Sequence, residues 1–264
     1  MKQFNNICVV GNKLKSFSNN KSVFTLDEFM CLLKLESKIC DGKNYYNVHV
    51  GQGLNDDCLA TIFSTVKKEH LNTRFIFSGV TEKTQRASLE ATHKHDSKNI
   101  MISKPLKLEE RFFESYLMLD ENCAEMSDHI TGQHIQGMVM IEAARQMINS
   151  FTEDYLLEAE QKKNASYVLK GVNTKFHQYI FPLELKMVCE LTKFRRVPNG
   201  DFNAIAKISA LQHGELAMEI ELDYSVINKK YIEDKENNLA LNSLRKIFDI
   251  FVPEAEKELV PLVA

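Results

Sequence analysis

Apolar residues recur along this chain with a spacing that changes twice, dividing it into three stretches. In residues 1–106, short apolar runs alternate with helical ones. Ile7-Cys8-Val9-Val10 closes on Gly11-Asn12, as a buried strand does. Thr25-Leu26-Asp27-Glu28 has the Thr-x-x-Glu spacing of a capping box, ahead of Phe29, Met30 and Leu33. Tyr45 to Val50 predicts a strand, Leu59, Ile62, Phe63 and Val66 an amphipathic helix, and Arg74 to Phe77 a further strand. This alternation predicts a small α/β domain.

Residues 107–227 follow another pattern. Phe112 to Leu119 is strand-like, and a polar stretch from Asp120 to Ser127 leads towards a helix, Met138 to Ile148. That helix is apolar nearly all round, which predicts burial. Its polar exceptions, Glu142, Arg145, Gln146 and Asn149, fall on one face at i, i+3, i+4 and i+7. Beyond it the period drops to two. Runs at Leu185–Leu191, Ala204–Ala210 and Leu216–Tyr224 alternate with mainly polar residues, and Pro198-Asn199-Gly200 and His213-Gly214 mark turns between them. With Tyr167 to Phe176, these runs predict an antiparallel sheet buried on one face.

A strand, a buried helix and then a sheet able to curl round it is the element order of a hotdog fold. The expected class is therefore α+β, a hotdog unit at 107–227 behind an N-terminal α/β domain at 1–106. Residues 228–264 read as a charged linker, Asn228 to Asn238, and an amphipathic helix bearing Leu241, Leu244, Phe248 and Phe251. Such a helix either docks on the body or meets a partner.

The charge balance, 33 Lys+Arg against 36 Asp+Glu for a formal −3, excludes a general polyanion binder, so no nucleic-acid partner is expected. No apolar run approaches the ~18 residues of a membrane span. Met1 to Ile7 lacks the apolar core of a secretory signal, and a cytoplasmic protein is expected. Cys8, Cys31, Cys40, Cys58, Cys123 and Cys189 are scattered among apolar neighbours with no Cys-x-x-Cys, which predicts buried thiols and neither disulfides nor a zinc site. No metal or cofactor is expected. Gly51-Gln52-Gly53 invites a dinucleotide reading, but Asp56 stands where the third glycine belongs and no Gly-Lys-Ser/Thr exists, so it reads as a tight turn. His93-Lys94-His95-Asp96 reads as a solvated loop.

Asp128-His129, His134, Gly137-Met138 and Glu142-Ala143-Ala144-Arg145-Gln146 together resemble the A-factor biosynthesis (AfsA-type) hotdog family. The segment is more distantly similar to the hotdog 3-hydroxyacyl-thioester dehydratases, where a loop His precedes a Gly and a helix carboxylate lies five residues beyond that Gly. Glu142 is five beyond Gly137. His129 departs from that pattern by standing one residue closer to Gly137, and the dehydratase prolines are missing from the loop. AfsA-type chains often hold two hotdog repeats, but residues 1–106 contain no second copy of the motif.

The resemblance implies an enzyme acting on acyl thioesters of a carrier protein or coenzyme A. The family's best-known activity is transfer of a β-ketoacyl group from a carrier-protein thioester to a dihydroxyacetone phosphate hydroxyl, in secondary-metabolite or signalling-lipid biosynthesis. Thioester dehydration, hydrolysis and non-catalytic acyl binding are the alternatives.

For such chemistry, the amides near Gly137 and Met138, at the positive end of the helix dipole, would polarise the thioester carbonyl. Burial is expected to raise the Glu142 pKa into the range of a general acid–base. His129 and His134 can exchange protons near neutrality. Arg145 would take a phosphate or carboxylate, and Asp128 and Gln146 would complete the binding surface. Glu142 and Arg145 at i, i+3 can equally just neutralise each other. Glu142, His129 and His134 are expected to converge on one pocket. A homodimer joined along a sheet edge or the helix is expected to border it.

Overall fold

Residues 4–39, 44–79, 84–128 and 132–251 are described by the computed structural model. The chain starts with β1 (Phe4–Val10), α1 (Lys15–Ser18), β2 (Val23–Thr25), α2 (Leu26–Ser37), β3 (Tyr45–Val50), α3 (Asp56–Lys68) and β4 (Phe75–Gly79). The four strands form one parallel sheet in the order β2-β1-β3-β4. The capping box forms as expected, with Glu28 N–H donating to Thr25 Oγ1 and Thr25 N–H to Glu28 Oε2. Phe29 and Leu33 of α2 and Ile62 and Val66 of α3 are buried with Val9, Val48 and Phe75 of the sheet.

Next come α4 (Leu89–Thr92), β5 (Leu106–Glu109), β6 (Phe112–Tyr116), α5 (Ala124–Asp128), α6 (Gly137–Phe151), α7 (Ala159–Asn164), β7 (Ala165–Phe176), β8 (Lys186–Arg196), β9 (Phe202–Gln212) and β10 (Glu215–Asn228). The six strands make an antiparallel sheet ordered β5-β6-β8-β9-β10-β7. Register shifts at Leu191/Lys193, Leu216/Met218 and Asp223/Tyr224 add local twist, which helps the sheet curve. Its inward face shares one core with α6. The small Ala204, Ala206 and Ala210 of β9 leave room for the helix, and Met187, Leu191 and Leu222 close round it. This is the hotdog arrangement.

Gly51-Gln52-Gly53 is the seam between the two sheets. Gln52 Nε2 donates to Leu117 O and Leu183 O, both at 3.1 Å, while Leu119 N–H donates to Gln52 Oε1 at 2.8 Å. The backbone adds Gln52 N–H to Pro182 O and Gly53 N–H to Leu119 O, both at 3.0 Å. A Cβ at Gly51 would lie 2.6 Å from Pro182 O, and Gly53 has φ +87°. The glycines let backbone meet backbone, and no phosphate is needed to explain them.

Two sequence expectations change. The stretch expected to be a linker is helical, because α8 (Lys229–Phe251) runs unbroken from its first residue. It contains no Gly or Pro, and Lys229 and Glu233 pair at i, i+4. Leu241, Leu244 and Phe248 on it are exposed. Of the cysteines, Cys123 and Cys189 are buried and Cys8 and Cys58 partly so, all free, but Cys31 is exposed, since α2 turns Phe29, Leu33 and Glu36 inward instead. Cys40 lies outside the described residues. Among the described residues, no helix is long and apolar enough to cross a membrane.

Candidate functional site

The polar face of α6 packs against the segment that begins at α4, where Glu142, Gln146 and Asn149 find partners. Arg145 grips Glu142 through two parallel bonds, Nε to Oε2 at 2.7 Å and Nη2 to Oε1 at 2.8 Å. Lys94 Nζ lies 2.7 Å from Glu142 Oε1 and 3.7 Å from Glu125 Oε1. Gln146 Nε2 donates to Glu142 Oε1 and to Asn99 O, and its Oε1 accepts from Met101 N–H.

These contacts overturn the expected rise in the Glu142 pKa. Burial does push it up, but the bonds from Arg145, Lys94 and Gln146 together outweigh burial and hold it at about 2. Pattern reading placed Arg145 and Gln146 on the face of Glu142 and allowed the Arg145 pairing; it could not see Lys94 arriving at the same carboxylate.

One turn further on, α6 gives way to a π-helical turn, Thr152–Leu156, which buries Glu153. Glu153 Oε1 lies 3.1 Å from His93 Nε2 and accepts from the Tyr167 hydroxyl at 3.0 Å. His93 Nδ1 faces Asn149 Nδ2 at 3.3 Å. Lys94 and the still exposed His93 are therefore bound to α6, a contact that the solvated-loop expectation did not include, while His95 and Asp96 are exposed as expected. His93, at the left-handed C-cap of α4 (φ 55°), is where the chain turns to bring Lys94 onto the helix.

The amino end of α6 is a different environment. Gln136 takes the N-cap position without a side-chain hydrogen bond, leaving the first-turn amides without a side-chain cap. Beside it opens a cavity of about 410 Å³ lined by His134, Ile135, Gly137, Phe176, His177 and Tyr179 among others. The His134 and Tyr179 rings are 5.0 Å apart. A Cβ on Gly137 would come within 2.7 Å of Phe176 Cζ, so the glycine accommodates that ring. His177 Nε2 stands 3.1 Å from Glu219 Oε2, and Lys207 Nζ 2.6 Å from Glu219 Oε1.

The sequence-predicted residues thus fall into two groups. Glu142, Arg145 and Gln146 are bound together on the helix face; His134, Gly137 and the exposed Met138 belong to the helix start. Glu142 is absent from the cavity that His134 lines. Asp128 ends α5, and His129 lies outside the described residues. Pattern reading missed Lys94, His93, Glu153, His177 and Glu219. Only the unmatched polar face of α6 signalled that partners such as Lys94 must exist, and His177 meets Glu219 through the β7–β10 register, which no local pattern encodes.

A larger cavity, about 890 Å³, lies between α3 and residues 84–100. Its most buried charge, Arg86, uses Nη1 to donate to Ile100 O and Met118 O and Nε to pair with Asp56, while its buried Nη2 has no partner among the described residues. Asp56 at the start of α3 also lines it, but no histidine does.

A family model described as the A-factor biosynthesis hotdog domain matches residues 78–228. No curated protein sequence gives a significant match. Among solved structures, a thioesterase from Haemophilus influenzae is 16% identical, with 50% of this chain and 81% of that chain covered and a TM-score of 0.38. A mutant thioesterase from Pseudomonas aeruginosa is 12% identical, covering 53% of this chain and 91% of that one at a TM-score of 0.40. A dehydratase heterocomplex from Xenorhabdus doucetiae is 12% identical, covering 54% and 93% at 0.43.

Proposed function

Because the chain belongs to the A-factor biosynthesis hotdog family, we propose that it binds an acyl thioester of a carrier protein or coenzyme A and transfers the acyl group to a hydroxyl acceptor. The observation that carries this reading is the amino end of α6, without a side-chain cap, opening beside His134 on a largely apolar cavity. The Gly137 and Met138 amides, at the positive end of a 15-residue helix, stabilise the oxyanion that forms when a thioester carbonyl is attacked. Ile135, Phe176 and Tyr179 give the acyl chain an apolar wall, in a volume ordinary for small-molecule sites. His134, its ring 5.0 Å from that of Tyr179, lines the same cavity and positions the acceptor there.

Glu142 has another role in this reading. A carboxylate held at about pKa 2 is a poor proton carrier near neutrality, so it anchors Arg145 and Lys94 and ties α6 to the segment after α4. Two copies join through the open edge of β7, next to the cavity.

The same engaged Glu142 favours a second reading, a module that binds acyl thioesters without turning them over. An assay of thiol release from acyl-carrier and acyl-coenzyme A thioesters, with and without a phosphorylated hydroxyl acceptor, separates the two. Acceptor-dependent release that is lost in His134→Gln supports transfer. Saturable binding without release supports the module, and absence of binding contradicts both.

A further inference from the structure

We propose that His177, oriented by Glu219, is the base that takes the acceptor hydroxyl's proton; the assignment rests on the acyl-transfer reading above. His177 follows the last residue of β7, and its backbone N–H donates to Ala217 O at 2.9 Å, which fixes where the side chain starts. His177 lines the same cavity as His134 and Gly137.

The tautomer follows from the partner. Lys207, 2.6 Å from Glu219 Oε1, and His177 itself hold the Glu219 carboxyl below the usual carboxylate range. A carboxylate has no proton to donate, so the hydrogen in the 3.1 Å contact is that of His177 Nε2. In the neutral ring the lone pair is then on Nδ1, which makes no hydrogen bond among the described residues. Nδ1 is left to accept a proton, and Glu219 stabilises the imidazolium that results. Glu219 on β10, Lys175 opposite it on β7, Lys207 on β9, and His134 and Tyr179 of the same cavity lining are charged and titratable groups round it.

The step balances. The acceptor oxygen bonds to the thioester carbon as its proton moves to Nδ1, and the oxyanion rests on the Gly137 and Met138 amides. The C–S bond then breaks, and Nδ1 returns the proton to the departing thiolate, giving an ester and a free thiol.

The test is steady-state acyl transfer by the full chain from acyl-coenzyme A to glycerol phosphate, followed across neutral pH, alongside binding of a non-cleavable thioether analogue of the donor. His177→Gln is expected to lower kcat about 10²–10⁴-fold while the analogue's Kd is kept. Glu219→Gln is expected to move the acid limb of kcat/KM to lower pH, because the imidazolium loses its carboxylate; a merely structural ion pair would leave that limb in place. Unchanged kcat in His177→Gln with an active wild type overturns the base and leaves the transfer reading standing. An unmoved acid limb in Glu219→Gln overturns the orienting role. A wild type with no turnover overturns the transfer reading and this assignment with it.

Discussion

Lys94 Nζ and Glu142 Oε1 meet at 2.7 Å where the end of α4 crosses α6. With Arg145 gripping the other side, this contact makes Glu142, ionised at neutral pH, a tie between two parts of the hotdog unit.

Glu142→Gln therefore destabilises the protein at neutral pH, by about 3 kcal/mol on the linkage of a carboxyl whose folded value is about 2 against an ordinary 4.5. Because the folded value is depressed, the stabilisation is complete above the ordinary value and fades as pH falls from 4.5 towards 2. Urea unfolding of both proteins at pH 7 and at roughly pH 3.5 checks this. The gap narrows in acid; a gap of equal size at both pH values contradicts it.

Gly137 and Phe176 form a steric pair. Gly137→Ala places a methyl against the Phe176 ring, and thermal unfolding is expected to show a loss. In a Phe176→Ala background the ring is gone, and the same change gains about 0.5–1 kcal/mol from helix propensity. Equal effects in the two backgrounds would mean that the ring does not set the glycine.

Much of the fold was legible because its signals are local. The capping box at Thr25, the burial of α6 and the alternation through β8, β9 and β10 are each written within a few residues. Contacts between distant segments were not legible. Gln52 reaches residues 117, 119 and 183, Lys94 reaches 142, and His177 reaches 219, pairings decided by how finished elements pack. Glu142 was found as a singular residue, but the sign of its pKa shift depended on the bonds from Arg145, the distant Lys94 and Gln146 together outweighing burial.

Gln52→Leu tests the seam. It strands Leu117 O, Leu183 O and Leu119 N–H at a position only 2% exposed, and is expected to cost about 2–4 kcal/mol. Hydrogen exchange should show the Leu119 amide losing protection ahead of the amides of β9. Unchanged protection would show that the side chain does not hold the two sheets together.

Assembly is testable at β7, the longer edge strand, where Leu169, Val172 and Phe176 are exposed. Light scattering is expected to give twice 30.4 kDa for the wild type and 30.4 kDa for Val172→Pro, which cannot donate along that edge. A wild-type monomer contradicts the pairing.

The central claim is that the thioester carbonyl sits on the first turn of α6. Amide NMR during titration with a non-cleavable acyl-coenzyme A thioether ketone tests it most directly. The account predicts saturable shifts concentrated at the Gly137 and Met138 amides, with His134 and Tyr179 responding beside them. Saturable binding that instead moves Leu59, Phe63 and Arg86 round the larger cavity, leaving Gly137 and Met138 still, would contradict it.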